Sequence, residues 1–191
     1  MSFTPPCPLP PASLRPSRRR AGGFTMIELV AVIVLAGIVF TYATDRFFQR
    51  ETFDARGFAD QAASMLRYAQ KLAIAQNRAV YVRTNGNSVA VCFTSACDTP
   101  ASRTVPPAGG NSGRRETLLG CAGATNWLCE GLPAAATLSV PGGTAGFFFD
   151  PLGRPFYTAF GDFTATLTLA VGSGGQQYLI NVSPETGYVF R

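Results

Sequence analysis

Histidine is absent from the 191 residues, which excludes Ser-His-Asp triads, Cys-His dyads and every metal site built on imidazole. No pair of carboxylates stands out, and Asp150 and Asp162 read as turn residues, so neither catalysis nor a cofactor is expected. Proline is missing from Phe24 to Thr99, although the chain has 14 in all. A helix in that stretch would meet no proline, and Gly37 and Gly57 are its only weak points. Charge is scarce where the chain is most apolar: of the 21 residues Phe24–Thr44, only Glu28 is charged.

What is present makes that gap informative. Residues 1–23 carry four arginines and no acid, and Arg18-Arg19-Arg20-Ala21-Gly22-Gly23 runs directly into the apolar stretch. At about 1.5 Å per residue, Phe24–Thr44 gives a helix of roughly 30 Å, enough to cross a bilayer. The basic leader would stay in the cytoplasm, with everything after Thr44 on the other side. A secretory signal places its small-residue cleavage site after the apolar run, whereas Ala21-Gly22-Gly23 precedes it. The hydrophobic segment is therefore expected to survive processing.

Glycine, then phenylalanine, then Thr25-Met26-Ile27-Glu28-Leu29 resembles the class III signal of type IV pilins and type II secretion pseudopilins. The resemblance implies a prepilin peptidase that cuts between Gly23 and Phe24 and methylates the new Phe24 amine. Glycine suits the cut because it has no Cβ and lets the backbone enter a narrow site extended. Glu28 corresponds to the family glutamate. Ionised in a bilayer it costs a few kcal/mol, and pairing with a neighbouring subunit's Phe24 amine, a cation at neutral pH, would offset that cost. The rival is a plain membrane anchor whose Glu28 snorkels to the interface. The leader, with Pro5, Pro6, Pro8, Pro10, Pro11 and Pro16, is long for a prepilin and reads as a disordered tail. The helix-kinking proline of many major pilins has no counterpart here.

Removing the leader leaves 168 residues with 12 basic and 11 acidic side chains, so the formal charge falls from +5 to +1. The basic balance is a topology signal and says little about nucleic acid. One modest globular core is expected beyond the membrane helix. Asp45–Arg78 continues helical, with Phe58, Ala62, Met65, Leu66, Ala69, Leu72 and Ala73 on one face and Arg56, Asp60, Arg67 and Lys71 on others. Strands are predicted at Ala79–Arg83 and Ser88–Thr94, joined by a tight hairpin in which Asn85-Gly86 supplies two positive φ values. Further strands are predicted at Thr137–Val140, Ala145–Phe149, Thr164–Val171, Gln177–Val182 and Tyr188–Phe190. Asp150–Gly153 and Ser183–Gly187 read as turns. Asp98–Arg115 reads as a long exposed loop. Arg114-Arg115 with Trp127 form either a contact surface or a solvated loop beside a half-buried ring, the second being the simpler reading.

A long helix followed by strands, without a second strong helix, resembles the GspH/FimT group of minor pilins and pseudopilins. Leu66–Ile74, Pro184–Val189 and Asp54–Phe58 look most like the minor pilin C of mannose-sensitive haemagglutinin pili. The implied fold is α+β and pilin-like: a cleaved leader at 1–23, a transmembrane and filament-core helix at 24–44, an amphipathic half at 45–78, and a β-rich head at 79–191. The helix would pack on an antiparallel sheet or sandwich. The implied function is a type IV minor pilin at or near the filament tip, priming assembly or presenting an adhesive surface. A GspH-like pseudopilin of type II secretion is the alternative. A FimT-like DNA-uptake pilin is the third reading, but the arginine-rich tail it uses is missing, since Gly187–Arg191 has only Arg191 basic. The implied partners are prepilin peptidase, other pilin subunits and the bacterial inner membrane, with the head in the periplasm before assembly; nucleic acid is not an expected partner.

Cys7 would leave with the leader. Cys92, Cys97, Cys121 and Cys129 remain, an even number in an oxidising compartment, where disulfides persist. Three pairings are open, and Cys92–Cys97 with Cys121–Cys129 is favoured because each closes a short loop. A four-cysteine zinc site is the rival, against which neither spacing is C-x-x-C. No metal is expected.

Overall fold

The computed structural model describes residues 24–140, 146–157, 161–162 and 165–191, without the side chains of 42–49 and 161–162. Two units are distinguished, divided between Thr41 and Tyr42. Helix α1 (Met26–Gln76) begins in the first and ends in the second.

In the second unit Ala55, Phe58, Ala59, Ala62, Ala63, Met65, Leu66, Ala69 and Ala73 form the buried face of α1. Arg56, Asp60, Arg67 and Lys71 are exposed, and Leu72 is half-buried. The helix stops at Gln76, two residues short of the expected Arg78. Asn77 turns left-handed at φ 49°, its N–H reaches the Ile74 carbonyl at 3.3 Å, and the Arg78 N–H reaches the Ala73 carbonyl at 3.2 Å. These are the two bonds of a Schellman closure, for which asparagine is the usual substitute for glycine.

Two antiparallel sheets follow. The larger contains β1 (Val80–Thr84), β2 (Ser88–Cys92), β3 (Cys129–Gly131), β5 (Gly146–Phe149), β6 (Pro155–Tyr157) and β7 (Gly161–Asp162), in the order β3-β2-β1-β5-β6-β7. The smaller contains β4 (Thr137–Ser139), β8 (Leu167–Ser173), β9 (Gln176–Val182) and β10 (Val189–Phe190), in the order β10-β9-β8-β4. Strand β8 shows the period of a half-buried strand, with Leu167, Leu169, Val171 and Ser173 buried and the residues between them less so. One cluster joins the buried face of α1 to Val80, Val82, Phe147 and Phe149 of the larger sheet and to Leu169, Ile180 and Val182 of the smaller. The fold class is therefore α+β, a long N-terminal helix followed by antiparallel sheets.

Strand β2 is buried on both faces. Val89 and Val91 enter the main core, while Ala90 and Cys92 join Cys97, Cys121, Trp127 and Cys129 in a second cluster. The segment expected as an exposed loop at 98–115 contributes to this layer. Pro100–Ser102 forms a 3-10 turn, Arg103 bridges to Cys92, and Ser102, Thr104 and Pro106 are buried. The Phe93 N–H donates to the Ser102 carbonyl at 2.7 Å and the Leu128 N–H to the Thr104 carbonyl at 2.7 Å, so backbone bonds hold a stretch with no apolar pattern.

Several boundaries differ from expectation. The hairpin between β1 and β2 has positive φ at Gly86 alone. Asn85 contributes instead through its side chain, whose Oδ1 accepts from the Asn87 N–H at 2.9 Å and the Ser88 hydroxyl at 3.0 Å. Strands β3, β6 and β7 and the helix α2 (Arg115–Gly120) were not expected. All are short, and tertiary pairing rather than local periodicity selects them. Ala145 and Thr164, expected strand residues, lie outside the described residues.

Helix and C-terminal turn are joined by one side chain. Gln70 Nε2 donates to the carbonyls of Gly153 at 3.2 Å and Thr186 at 2.8 Å. Gly187, at φ +67°, passes so close that a Cβ there would meet the Gly153 carbonyl and Gln70 itself.

Candidate functional site

Phe24 and Thr25 precede the helix, and Phe24 is exposed. The Thr25 carbonyl accepts the N–H of Glu28 at 3.1 Å and of Leu29 at 3.2 Å, and Thr25 Oγ1 also accepts the Glu28 N–H at 3.3 Å. Thr25 is thus the N-cap and Glu28 the third helical residue, a Thr-x-x-Glu spacing that suits a capping box. The helix dipole favours an acid in this turn. Sequence reasoning gave Glu28 an assembly role and missed this local one, although the four-residue signature is visible in the chain. Gly23, the expected cleavage residue, lies outside the described residues.

From Met26 to Thr41 every residue is exposed, including the consecutive Ile33, Val34 and Leu35. Apolar side chains all round a helix are the pattern of a helix surrounded by apolar material. The expected span Phe24–Thr44 extends to residues 42–44, whose side chains are not described. Among the described residues no helix is long and apolar enough to cross a membrane.

The remaining candidates lie in the second unit. Cys92 is bridged to Cys97 with Cα atoms 5.5 Å apart, and Cys121 to Cys129 at 5.9 Å. Among the described residues no group of three or more His, Cys, Asp or Glu could hold a metal ion. Trp127 does not form a surface with Arg114 and Arg115. It is 7% exposed, its Nε1 donates to the Val91 carbonyl at 3.0 Å, and Arg103 covers its ring at 4.5 Å. It is thus more deeply buried than the half-buried ring expected. Arg114 and Arg115 are exposed at the start of α2.

Asp150 organises its turn: Oδ1 accepts the N–H groups of Leu152 at 2.9 Å and Arg154 at 2.8 Å, and Oδ2 pairs with the Arg154 guanidinium at 3.0 Å. Asp162 lies in β7, and its side chain is not described. Arg191, the one basic residue of the tail, pairs with Asp60 of α1 and sits over the Tyr178 ring at 6.0 Å.

Sequence reasoning also missed Glu130, which is 5% exposed. Its Oε1 accepts the Ser112 N–H at 2.8 Å and Gln61 Nε2 at 3.5 Å. Its Oε2 accepts the hydroxyls of Ser112 at 2.7 Å and Thr117 at 2.9 Å. One carboxylate thereby ties together α1, the 112 segment and α2. Nothing in the local pattern of Leu128–Gly131 distinguishes it from a surface acid.

Among curated proteins none matches this chain. Two solved structures of the type IV minor pilin FimU of Pseudomonas aeruginosa (strain PAO1) are loosely similar. The first is 15% identical over 71% of this chain and 90% of that one, with a TM-score of 0.45. The second is 16% identical over 75% and 90%, with a TM-score of 0.47. At such identities and scores the likeness carries no weight for function. Residues 18–44 match the family described as the prokaryotic N-terminal methylation motif, which encloses Gly23, Phe24, Thr25 and Glu28 ahead of the α+β body.

Proposed function

We propose that the chain is a minor pilin of a type IV pilus, of the mannose-sensitive haemagglutinin kind. The match of residues 18–44 to the N-terminal methylation motif supports the pilin-like part of this reading, and its finer part rests on the resemblance of Asp54–Phe58, Leu66–Ile74 and Pro184–Val189. A prepilin peptidase removes residues 1–23 between Gly23 and Phe24 and methylates the Phe24 amine. Phe24–Thr44 then holds the subunit in the inner membrane, with residues 79–191 as a periplasmic head. On assembly the same helix enters the apolar filament core, which supplies the cover that residues 26–41 lack by themselves. Glu28 pairs with a neighbour's Phe24 amine and sets the register, because a lone carboxylate in that medium is costly and a paired one tolerable.

The head primes assembly or presents an adhesive surface at or near the tip. DNA uptake is disfavoured because the one basic tail residue, Arg191, is engaged by Asp60 and offers phosphate little free charge.

The test is the intact mass and N-terminal sequence after co-expression with a prepilin peptidase, beside Gly23→Val. The expected product begins at methylated Phe24 and disappears in the variant. An uncut chain in both would overturn the reading. Recovery of the processed chain in sheared surface filaments is expected; its retention in the envelope alone would replace the pilus with a secretion pseudopilus.

A further inference from the structure

Glu130 borders a cavity of about 280 Å³ lying between α1 and the 106–111 segment. Met65, Tyr68, Pro106 and Leu128 give it apolar walls, with Gln61 beside Glu130 among its polar groups. The carboxylate has no cation: the ion pairs among the described residues are Asp150–Arg154 and Asp60–Arg191. Its two oxygens are unequally served. Oε2 takes two hydroxyls at 2.7 and 2.9 Å, whereas Oε1 takes one short amide bond at 2.8 Å and the Gln61 amide only at 3.5 Å. A contact of that length is at the outer limit of a hydrogen bond, so Oε1 can accept a further donor and Gln61 is the group that yields.

A carboxylate taken out of water without a countercharge is costly. An ammonium would bring both charge and donors, its methylene stem would suit the apolar walls, and the Tyr68 ring would suit its head. A guanidinium fork needs two oxygens, and one is already filled, so a compact ammonium fits better. The lip, at Ser64, Pro107, Ala108 and Gly110, is exposed.

We propose that this cavity receives the lysine side chain of another filament protein, with its ammonium on Glu130 Oε1 and its stem between Met65, Tyr68 and Pro106. The neighbour rests on the reading of the chain as a filament subunit; the lysine chemistry rests on the cavity alone.

The test titrates the full-length chain in neutral-lipid nanodiscs with Nα-acetyl-lysine amide, Nα-acetyl-norleucine amide and n-butylammonium, followed by saturation-transfer NMR against empty discs. Saturable binding of the lysine probe is expected, at least tenfold tighter than the norleucine probe. Ala108→Trp, which blocks the lip without touching the partners of Glu130, is expected to abolish it. Glu130→Gln is expected to remove the preference for lysine over norleucine. Equal binding of the two amides, or lysine binding undiminished by Ala108→Trp, would overturn the proposal. Tenfold tighter binding of n-butylammonium would assign the cavity to a free amine and overturn the side-chain occupant. A chain left uncut by prepilin peptidase removes the filament neighbour whatever the probes do. A cut, methylated chain with a cavity indifferent to lysine removes the cavity proposal alone.

Discussion

Replacing Glu130 tests whether a single buried carboxylate holds the head together. In Glu130→Gln the amide nitrogen is best placed at the Oε2 position, where the hydroxyls of Ser112 and Thr117 can turn to accept from it. They are 2.9 Å apart and already within bonding reach of each other. The Oε1 position keeps its carbonyl for the Ser112 N–H. What is lost is the charge assistance on two short bonds, about 1 kcal/mol each and about 2 kcal/mol together. Glu130→Ala removes the acceptors altogether. It leaves a buried Thr117 hydroxyl and the Ser112 amide to find new partners, a cost of about 4 kcal/mol. For a domain of this size one kcal/mol moves Tm by about 2–4 °C. The Gln variant should therefore melt about 4–8 °C lower and the Ala variant about 8–16 °C lower. Trp127 is the chain's single tryptophan and lies in the cluster containing Cys129, next to Glu130 in β3, so its fluorescence reports this region even with the N-terminal helix in a nanodisc. Equal melting of wild type and both variants would refute the idea that the carboxylate is a joint.

Serine replacement of the Cys121–Cys129 pair should cost about 2.5 kcal/mol and of the Cys92–Cys97 pair about 2 kcal/mol on loop entropy, read from denaturant midpoints; the reverse order by a wide margin would contradict that account. Leu66→Ala, at a fully buried site in the cluster that joins the helix to both sheets, should cost about 2–5 kcal/mol in the same assay, and a loss below 1 kcal/mol would mean the helix does not pack there as described. Gly187→Ala should destabilise far more than Gly175→Ala: both have positive φ, but only the first meets the Gly153 carbonyl, and equal effects would remove the close approach as the cause. Glu28→Gln should be cut and methylated normally yet absent from sheared filaments, whereas wild-type levels there would leave Glu28 with its local place at the helix start alone.

The parts of the molecule that were legible in the chain are those governed by short-range regularity. The apolar run after Gly23, the three- and four-residue stripe from Phe58 to Ala73 and the strand-favouring run Thr164–Val171 are each local regularities of composition or spacing. What stayed hidden depends on residues far apart in sequence. Cys129–Gly131 is too short to register as a strand, yet its pairing with Ser88, Val89 and Ala90 makes it one. Likewise 98–115 has loop composition, and bonds to Val91, Phe93 and Leu128 give it structure.

The two hidden joints share a physical character. Gln70 reaches the carbonyls of Gly153 and Thr186, and Glu130 reaches α1, Ser112 and Thr117. In each case one polar side chain satisfies partners from segments with no periodic signal of their own. Burying backbone and hydroxyl groups in such segments is unfavourable until an acceptor or donor arrives from elsewhere. The glutamate and glutamine are therefore what permit irregular chain to pack over the helix at all. The helix from Met26 to Thr41 has no irregular chain of its own to satisfy. Its backbone bonds are satisfied internally, its apolar side chains call for an apolar surrounding, and its single acid is at the third helical position, where the helix dipole favours it and Thr25 caps its backbone N–H. Polar chemistry in this chain is concentrated where irregular structure needs a joint, and the long apolar segment is left to be covered by whatever it enters.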